Sequence, residues 1–325
     1  MKIGVVGCGA LGSYYGACLG RAGHETHFLL RSDFAVVREQ GVTIETATGN
    51  FVARPRAAKH PDEIGVCDLV LIGLKTTAND RFADLLPPLV GPRTMLLTLQ
   101  NGLGNEAALA RLFPVEQILG GLCFVCLNRL RPGLVRHLGH GFVVLGEYLR
   151  PPQERTHALA AEFERAGVRC SVSENLEQAH WEKLVWNIPF NGLGVAGMVG
   201  WEAFHAGAVP PNWTRHTCLP TDELLADPRW ESVVRGLMRE VVAVAAALGY
   251  AIAHDTPDKM VERTRVMGAY RASTLVDFER GQPLELESLF FAPREAARNA
   301  GVATPLLDRL CAVLAELDAR RTKPA

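Results

Sequence analysis

The first twelve residues constrain this chain more than any other stretch. An apolar run, Ile3 to Val6, leads into Gly7-Cys8-Gly9-Ala10-Leu11-Gly12, and a helical pattern through Tyr15, Gly16, Ala17, Cys18 and Leu19 follows. In a strand, turn and helix of this kind each glycine has a distinct role. One at position 7 permits the sharp turn, one at 9 lets the backbone approach a pyrophosphate with no side chain between, and one at 12 lets the helix pack close to the strand. The helix N-terminus then turns its free N–H groups towards the phosphates. Gly23 and a second strand, Thr26 to Leu30, complete a βαβ unit, and this context separates the pattern from a glycine-rich turn that holds nothing. Met1 to Arg31 therefore predict a dinucleotide-binding unit, with Gly7, Cys8, Gly9, Ala10, Leu11 and Gly12 against the phosphates.

Arg31 ends the second strand, where NAD-binding units carry an acidic residue for the ribose 2′-hydroxyl. A cation there points to the 2′-phosphate of NADP(H), although a solvated surface arginine reads the same way. Leu69 to Leu74 and Thr94 to Leu99 are near-continuous apolar runs, the pattern of parallel strands covered on both faces. Lys75 and Asn101 follow them, at the carboxyl ends of strands where open α/β sheets bind ligands. Asn101-Gly102 is equally plain turn chemistry. Between Leu122 and Tyr148 the pattern changes to short strand-like pieces, Leu134 to His137 and Phe142 to Leu145, set off by Gly133 and by Gly139-His140-Gly141. These predict a hairpin added to the sheet, and its turn accounts for His137 and His140 without a catalytic role. A helix over Thr156 to Ala166 and a short strand near Arg169 to Val172 complete the pattern.

At 325 residues the chain exceeds what one core comfortably fills, so two domains are expected. The fold class this implies is α/β: a Rossmann-type dinucleotide-binding domain over 1–175, then an all-helical domain over 176–325. With 21% charged residues and a net charge of −1, nothing attracts a nucleic acid. Lys2-Ile3-Gly4-Val5-Val6-Gly7 lacks the features of a signal peptide, so a cytoplasmic location is expected. The apolar stretch Val241 to Leu248 falls far short of the ~20 residues that cross a bilayer, and no membrane partner is expected. Eight cysteines lie mostly among aliphatic neighbours and read as reduced and buried. Cys123-Phe-Val-Cys126 has metal or redox spacing but no second pair, so a core reading is preferred and no metal site is assigned.

Beyond residue 175 the pattern is helical. Thr256-Pro257 and Thr304-Pro305 each place a capping hydroxyl before a proline at the first helical position, and amphipathic runs cover Glu231 to Leu248, Met260 to Glu279 and Leu306 to Leu317. Lys183, Asn187 and Asn191 recur at i, i+4 and i+8, a polar row amid aromatic and aliphatic neighbours. Asparagine is a poor helix former and costly to bury alone, so the row reads either as the lining of a polar pocket or as a solvated face. Pro189 lies between the two asparagines and predicts a kink. Glu285 falls between leucines, where it is either a buried carboxylate seeking a partner such as Lys183 or an exposed residue after the Gly281-Gln282-Pro283 turn.

Taken in order, these residues resemble the ketopantoate reductase (2-dehydropantoate 2-reductase) family. The likeness spans nearly the whole chain: the three glycines, Gln100-Asn101-Gly102, His137 with Gly139-His140-Gly141 and Gly146-Glu147, Trp181-x-Lys183 with Asn187 and Asn191, and Ser273 twelve positions before Glu285. The resemblance implies a two-domain NADPH enzyme that reduces 2-dehydropantoate to pantoate, on the route to pantothenate and coenzyme A, with its site in a cleft between domains. It makes Lys183 the catalytic lysine and Glu285 the catalytic acid. Asn101, Asn187, Asn191 and Ser273 become substrate contacts, and Arg31 and Lys75 lie near the adenosine end of the cofactor. Two features depart from the family pattern. Trp201 to Asp222, with His205, Trp213 and His216, looks like an insertion, either a cover for the cleft or a surface loop. The commoner Thr-Glu-Ile-Asp run stands here as Leu284-Glu285-Leu286-Glu287. Reduction of another branched 2-keto acid and a non-catalytic NADP-binding regulator remain as rival readings, and a homodimer remains open as an assembly state.

Overall fold

Strands buried on both faces read as unbroken apolar runs, and period-two alternation then sorts their side chains between two layers. The first half of the chain is built in this way. The structure is a computed structural model that describes residues 1–213 and 217–320. It divides into two units, Met1–Glu177 and Gln178–Ala325.

The first unit runs β1 (Lys2–Val6), α1 (Ala10–Arg21), β2 (Glu25–Leu29), α2 (Phe34–Gln40), β3 (Val42–Glu45), β4 (Phe51–Ala53), β5 (Arg56–Ala58) and β6 (Leu69–Ile72). It continues through α3 (Phe82–Leu85), β7 (Met95–Thr98), α4 (Asn105–Ala110), β8 (Ile118–Arg131), β9 (Leu134–Glu147), α5 (Glu154–Arg165) and β10 (Arg169–Val172). The strands form one sheet in the order β4-β3-β9-β8-β7-β6-β1-β2-β5, with β10 paired to β9. From β5 to β8 every pairing is parallel. From β1 the chain places β2 on one side, forms β3 and β4 at the opposite edge beside β9, adds β5 outside β2, and returns to the other side of β1 with β6. The strand order therefore reverses between β1 and β6, where open α/β sheets take ligands. Val5, Leu69, Leu71 and Leu97 pack in one core with Phe28 and Phe163, while Val6, Val70, Ile72 and Leu96 pack in the other with Phe82 and Leu109.

The expected hairpin is present, but it is longer and turns elsewhere. β8 and β9 are 14 residues each, and the turn between them is Pro132-Gly133, with Gly133 at φ 70°. Gly139-His140-Gly141 is a bulge within β9. Phe124 faces Phe142 and Val125 faces His140, so Gly141 has no residue opposite, and His140 and Gly141 take φ of 59° and 119°. Strands β3, β4 and β5 escaped the sequence reading because β3 and β5 mix Thr, Glu or Arg with apolar residues and β4 has only three residues, so none shows the near-continuous apolar run that marks β6 and β7.

The second unit contains only helices among the described residues: α6 (Leu176–Ala196, its first two residues counted with the first unit), α7 (Trp201–Ala206), α8 (Thr221–Ala226), α9 (Pro228–Ala247), α10 (Thr256–Arg265), α11 (Ser273–Glu279), α12 (Ala292–Asn299) and α13 (Pro305–Ala319). The buried stripe of α9, including Trp230, Val233, Val234, Leu237, Met238 and Val241, packs against α8, α10, α12 and α13. α6 runs through Pro189 as one helix. A Cβ on Gly192 would lie 2.6 Å from Leu310 Cδ2, and one on Gly194 would lie 2.4 Å from Leu275 Cδ1, so these glycines admit α13 and α11 to close contact.

Three local expectations are corrected. Met260 to Glu279 is two helices, because α10 ends at Arg265 and Gly268 reverses the chain at φ 64°. Neither threonine caps through its hydroxyl: Thr256 is already the first residue of α10, and Thr304 makes no side-chain cap. A tertiary cap replaces it at α13, where the Leu306 and Leu307 N–H groups each donate to the Glu240 carboxylate of α9 at 2.9 Å. Residues Trp201 to Trp213 of the apparent insertion are tied into the unit rather than forming a plain loop. α7 buries Phe204, Trp201 meets Trp230 edge to face, and Val209 N–H donates to Glu316. His216 of that segment lies outside the described residues, as do residues 321–325 of the charged tail.

Candidate active site

The turn after β1 is held by backbone packing. Gly7 has φ 94°, and a Cβ there would lie 2.2 Å from the Leu74 nitrogen, so the β1 turn and the β6 turn press together at the point where the strand order reverses. A Cβ on Gly12 would lie 2.3 Å from the Gly7 carbonyl oxygen, which is the close helix–strand approach expected from the sequence. Gly9 differs from both. A Cβ there meets nothing within 4 Å, so the space in front of the α1 N-terminus is open. Gly9 occupies the N-cap of α1 and offers no capping side chain, and the first-turn N–H groups of Ala10, Leu11 and Gly12 have no partner within the helix. Ser13 Oγ donates to the Cys8 carbonyl at 3.1 Å and braces the turn. The Cys8 side chain is half-buried and donates to the Val5 carbonyl, and burial pushes its thiol well above the ordinary range, so it does not act as a nucleophile. An open space, a free helix N-terminus and a turn that excludes side chains together fit a pyrophosphate.

Arg31 is exposed, just past β2. Two residues on, Asp33 is buried. Its carboxylate accepts Arg129 Nε at 3.0 Å, a second bond from Arg129 Nη2, Ser32 Oγ at 2.9 Å and the Gly133 N–H at 3.2 Å. Burial opposes its charge, but these donors outweigh burial and hold its pKa below the ordinary aspartate value. The sequence reading missed this residue, because its partner lies 96 positions away.

Lys75 is exposed and precedes a 3₁₀ turn at Thr76–Arg81. Asn101 sits in a run of amides. Thr98 Oγ1 donates to Gln100 Oε1 at 2.9 Å, Gln100 Nε2 to Asn79 Oδ1 at 2.7 Å, Asn79 Nδ2 to Asn105 Oδ1 at 2.9 Å, and Asn105 Nδ2 to the Asn101 carbonyl at 3.1 Å. Asn105 is wholly buried, and Gly102 and Gly104 take φ of 84° and 87°. The loop that carries Asn101 is therefore fixed from below, and the turn reading and the ligand reading of Asn101-Gly102 are compatible. Asn79 and Asn105 were also missed. The only sequence signal for them was the density of amides near a strand end.

In the second unit, the row Lys183, Asn187 and Asn191 lies along α6, with Lys183 half-buried and the asparagines 7% and 4% exposed. A solvated face is thereby ruled out. The structure brings Asn191 and Ser273 together: Ser273 Oγ donates to Asn191 Oδ1 at 3.3 Å, and the Thr274 N–H donates to the same oxygen at 3.1 Å. Asn191 thus anchors the start of α11. Glu285 is 7% exposed, which removes the exposed-residue alternative. Its carbonyl accepts the Leu289 N–H at 3.2 Å, and a π-helical turn, Glu287–Phe291, follows directly. Such turns are rare and recur at functional sites.

Several other candidates turn out to be structural. His137 Nε2 donates to the His140 carbonyl at 3.0 Å and its ring packs on Tyr14, so this pair stabilises the β9 bulge. Glu147 is wholly buried and takes bonds from Arg155, Thr156 and Arg150, joining β9 to α5. Cys123 is buried and Cys126 half-buried, and all eight cysteines are free thiols. Cys126 and Cys170, like Cys8, are less buried than their sequence context suggests.

Comparison with known proteins adds what geometry alone does not supply. A family described as ketopantoate reductase PanE/ApbA matches residues 3–150, and its C-terminal counterpart matches residues 214–318. The chain belongs to the ketopantoate reductase family. A 2-dehydropantoate 2-reductase from Nostoc sp. is 36% identical over 98% of this chain and 96% of its own length. The crystal structure of 2-dehydropantoate 2-reductase from Geobacter metallireducens is 44% identical with a TM-score of 0.88, covering 97% of this chain and 99% of that one. That of the enzyme from Methylococcus capsulatus is 34% identical at a TM-score of 0.87, covering 100% and 99%. As a ketopantoate reductase family member the chain is an NAD(P)-dependent oxidoreductase with a Rossmann-type first unit and a helical second one. Among the described residues no helix is long and apolar enough to cross a membrane.

Proposed function

We propose that this chain reduces the 2-keto group of 2-dehydropantoate to pantoate with NADPH. One observation carries the reading: Lys183, Asn187 and Asn191 lie in a row along one helix with both asparagines buried, Ser273 is bonded to Asn191, and Glu285 is buried. Amides and carboxylates cost free energy to bury, so a row of them along one helix marks a polar lining, and a hydroxylated keto acid suits such a lining. The full-length relatives named for this reaction support the choice of substrate.

Gly7 to Gly12 hold the pyrophosphate through backbone N–H groups, and Arg31 and Lys75 face the adenosine end, with Arg31 matched to a 2′-phosphate. When bound, the dinucleotide supplies hydride to the substrate's carbonyl carbon. Lys183 places its ammonium at the carbonyl oxygen, stabilises the negative charge growing there and delivers the proton. Glu285 orients that ammonium and accepts a hydrogen bond from the substrate hydroxyl. Asn101, Asn187, Asn191 and Ser273 fix the remaining polar groups so that the carbonyl carbon is held for attack.

The test is a set of initial rates on purified protein with a panel of 2-keto acids, each with NADPH and with NADH. The highest kcat/KM is expected for ketopantoate with NADPH. Equal turnover of other branched keto acids would broaden the substrate to that class, and binding of NADPH without turnover of any of them would make the chain a non-catalytic cofactor binder.

A further inference from the structure

We propose that Arg129 sets the preference for a 2′-phosphorylated dinucleotide by neutralising Asp33, a buried carboxylate in the loop that carries Arg31. The inference rests on the reading of the first unit as an NADPH site and adds the residues that govern its specificity.

In a βαβ dinucleotide unit the loop after the second strand faces the adenosine ribose, and the charge on that loop decides between a 2′-hydroxyl and a 2′-phosphate. β2 ends at Leu29, and the loop Arg31-Ser32-Asp33 leads directly into α2 at Phe34. It therefore carries one cation and one anion two residues apart. An accessible carboxylate here would accept the 2′-hydroxyl of NAD and repel the dianionic 2′-phosphate of NADP.

The structure shows how that anion is masked. Arg129 meets Asp33 in a two-pronged pair, Nε to Oδ2 at 3.0 Å and Nη2 to Oδ1, and the Asp33 side chain is 9% exposed. The Ser32 hydroxyl and the Gly133 N–H take up further lone pairs. Four donors leave the carboxylate little capacity to accept a ribose hydroxyl, and the guanidinium cancels its field. Arg31, exposed and in the same loop, then acts as an unopposed cation. Arg129 lies near the tip of the β8–β9 hairpin, and Gly133 forms its turn, so an element far along the chain tunes the nucleotide loop.

The experiment measures binding of 2′,5′-ADP and 5′-AMP to the full chain, two probes that differ by the 2′-phosphate, so the second reports on folding while the first reports on specificity. Wild type is expected to bind 2′,5′-ADP more tightly. Arg129→Gln is expected to weaken 2′,5′-ADP by about tenfold or more, the size of an uncompensated like charge near a protein surface, while 5′-AMP stays within about twofold. Asp33→Asn in the same chain is expected to restore the loss. Equal weakening of both probes, or no recovery in the double variant, overturns the proposal and leaves the NADPH reading standing. Wild type binding both probes equally would overturn the NADPH reading itself, and this inference with it. Should Arg129→Gln not fold, Asp33→Asn alone decides: 2′,5′-ADP affinity that holds or rises supports the proposal, and a selective fall overturns it.

Discussion

In the first unit, six consecutive residues, Gly7 to Gly12, form the turn proposed to hold the phosphates through backbone N–H groups. In the second, the candidate residues Lys183, Asn187, Asn191, Ser273 and Glu285 come from α6, α11 and the segment before the π-helical turn, and the chemistry proposed for them uses side chains. The two arrangements differ in what a single substitution does. At Gly7 or Gly12 an added methyl meets backbone and disturbs the fold, whereas at Lys183 a truncation leaves the helix intact and removes a charge. Gly7 and Gly12 are thus bound up with stability, and Lys183 is separable from it.

The largest expected effect tests the separable half. Lys183→Ala should lower kcat by about 10²- to 10⁴-fold, the range for loss of a general acid, while Tm and NADPH affinity change little. Stopped-flow turnover alongside cofactor titration checks this, and an unchanged kcat would remove Lys183 from the mechanism.

The next prediction sharpens the contrast within the glycine turn. Gly7→Ala combines a φ of 94° with a Cβ 2.2 Å from the Leu74 nitrogen, so it should cost about 3 kcal/mol or more and be seen as a large fall in Tm. Gly9→Ala, with nothing within 4 Å, should leave Tm unchanged and weaken NADPH binding. Normal NADPH affinity in Gly9→Ala would mean that the phosphates lie elsewhere.

The smallest effect concerns stability alone. Glu147 is buried with Arg155, Thr156 and Arg150, and although burial opposes its charge, their bonds hold its pKa below the ordinary 4.5. A carboxylate with a depressed folded pKa contributes stability that is fully present above the unfolded value and is lost as pH falls through the folded one. Glu147→Gln should therefore cost about 2 kcal/mol at pH 7, and the gap to wild type should close as pH drops below 4.5. A gap in Tm that stays constant with pH would assign the loss to packing.

Much of the first unit was legible because its signals are local. The glycine spacing, the apolar runs of β1, β6 and β7, and the helix α5 all lie within windows of a few residues, and the structure places them as expected. The hairpin was misjudged at its turn, because Gly139 to Gly141 and Pro132-Gly133 look alike as sequence, and only the register of β8 against β9 distinguishes a bulge from a reversal. The cap of α13 was misassigned for a similar reason: Thr304 is adjacent in sequence, but Glu240 is adjacent in space. The polar row on α6 was visible from its period, yet period alone did not say which side of the helix was buried.

The sequence by itself determined a strand, glycine turn and helix at its start and a two-part architecture, since these rest on residue type and spacing, while its likeness to a known family singled out the candidate polar residues. The tertiary structure decided which of those polar groups are buried, that Asn191 holds Ser273 and the start of α11, that Asn105 supports the Asn101 loop, and that Arg129 masks Asp33. The reason is physical. Burial, charge pairing and amide networks depend on distances between residues remote along the chain, and these exist only once the sheet and helices have packed.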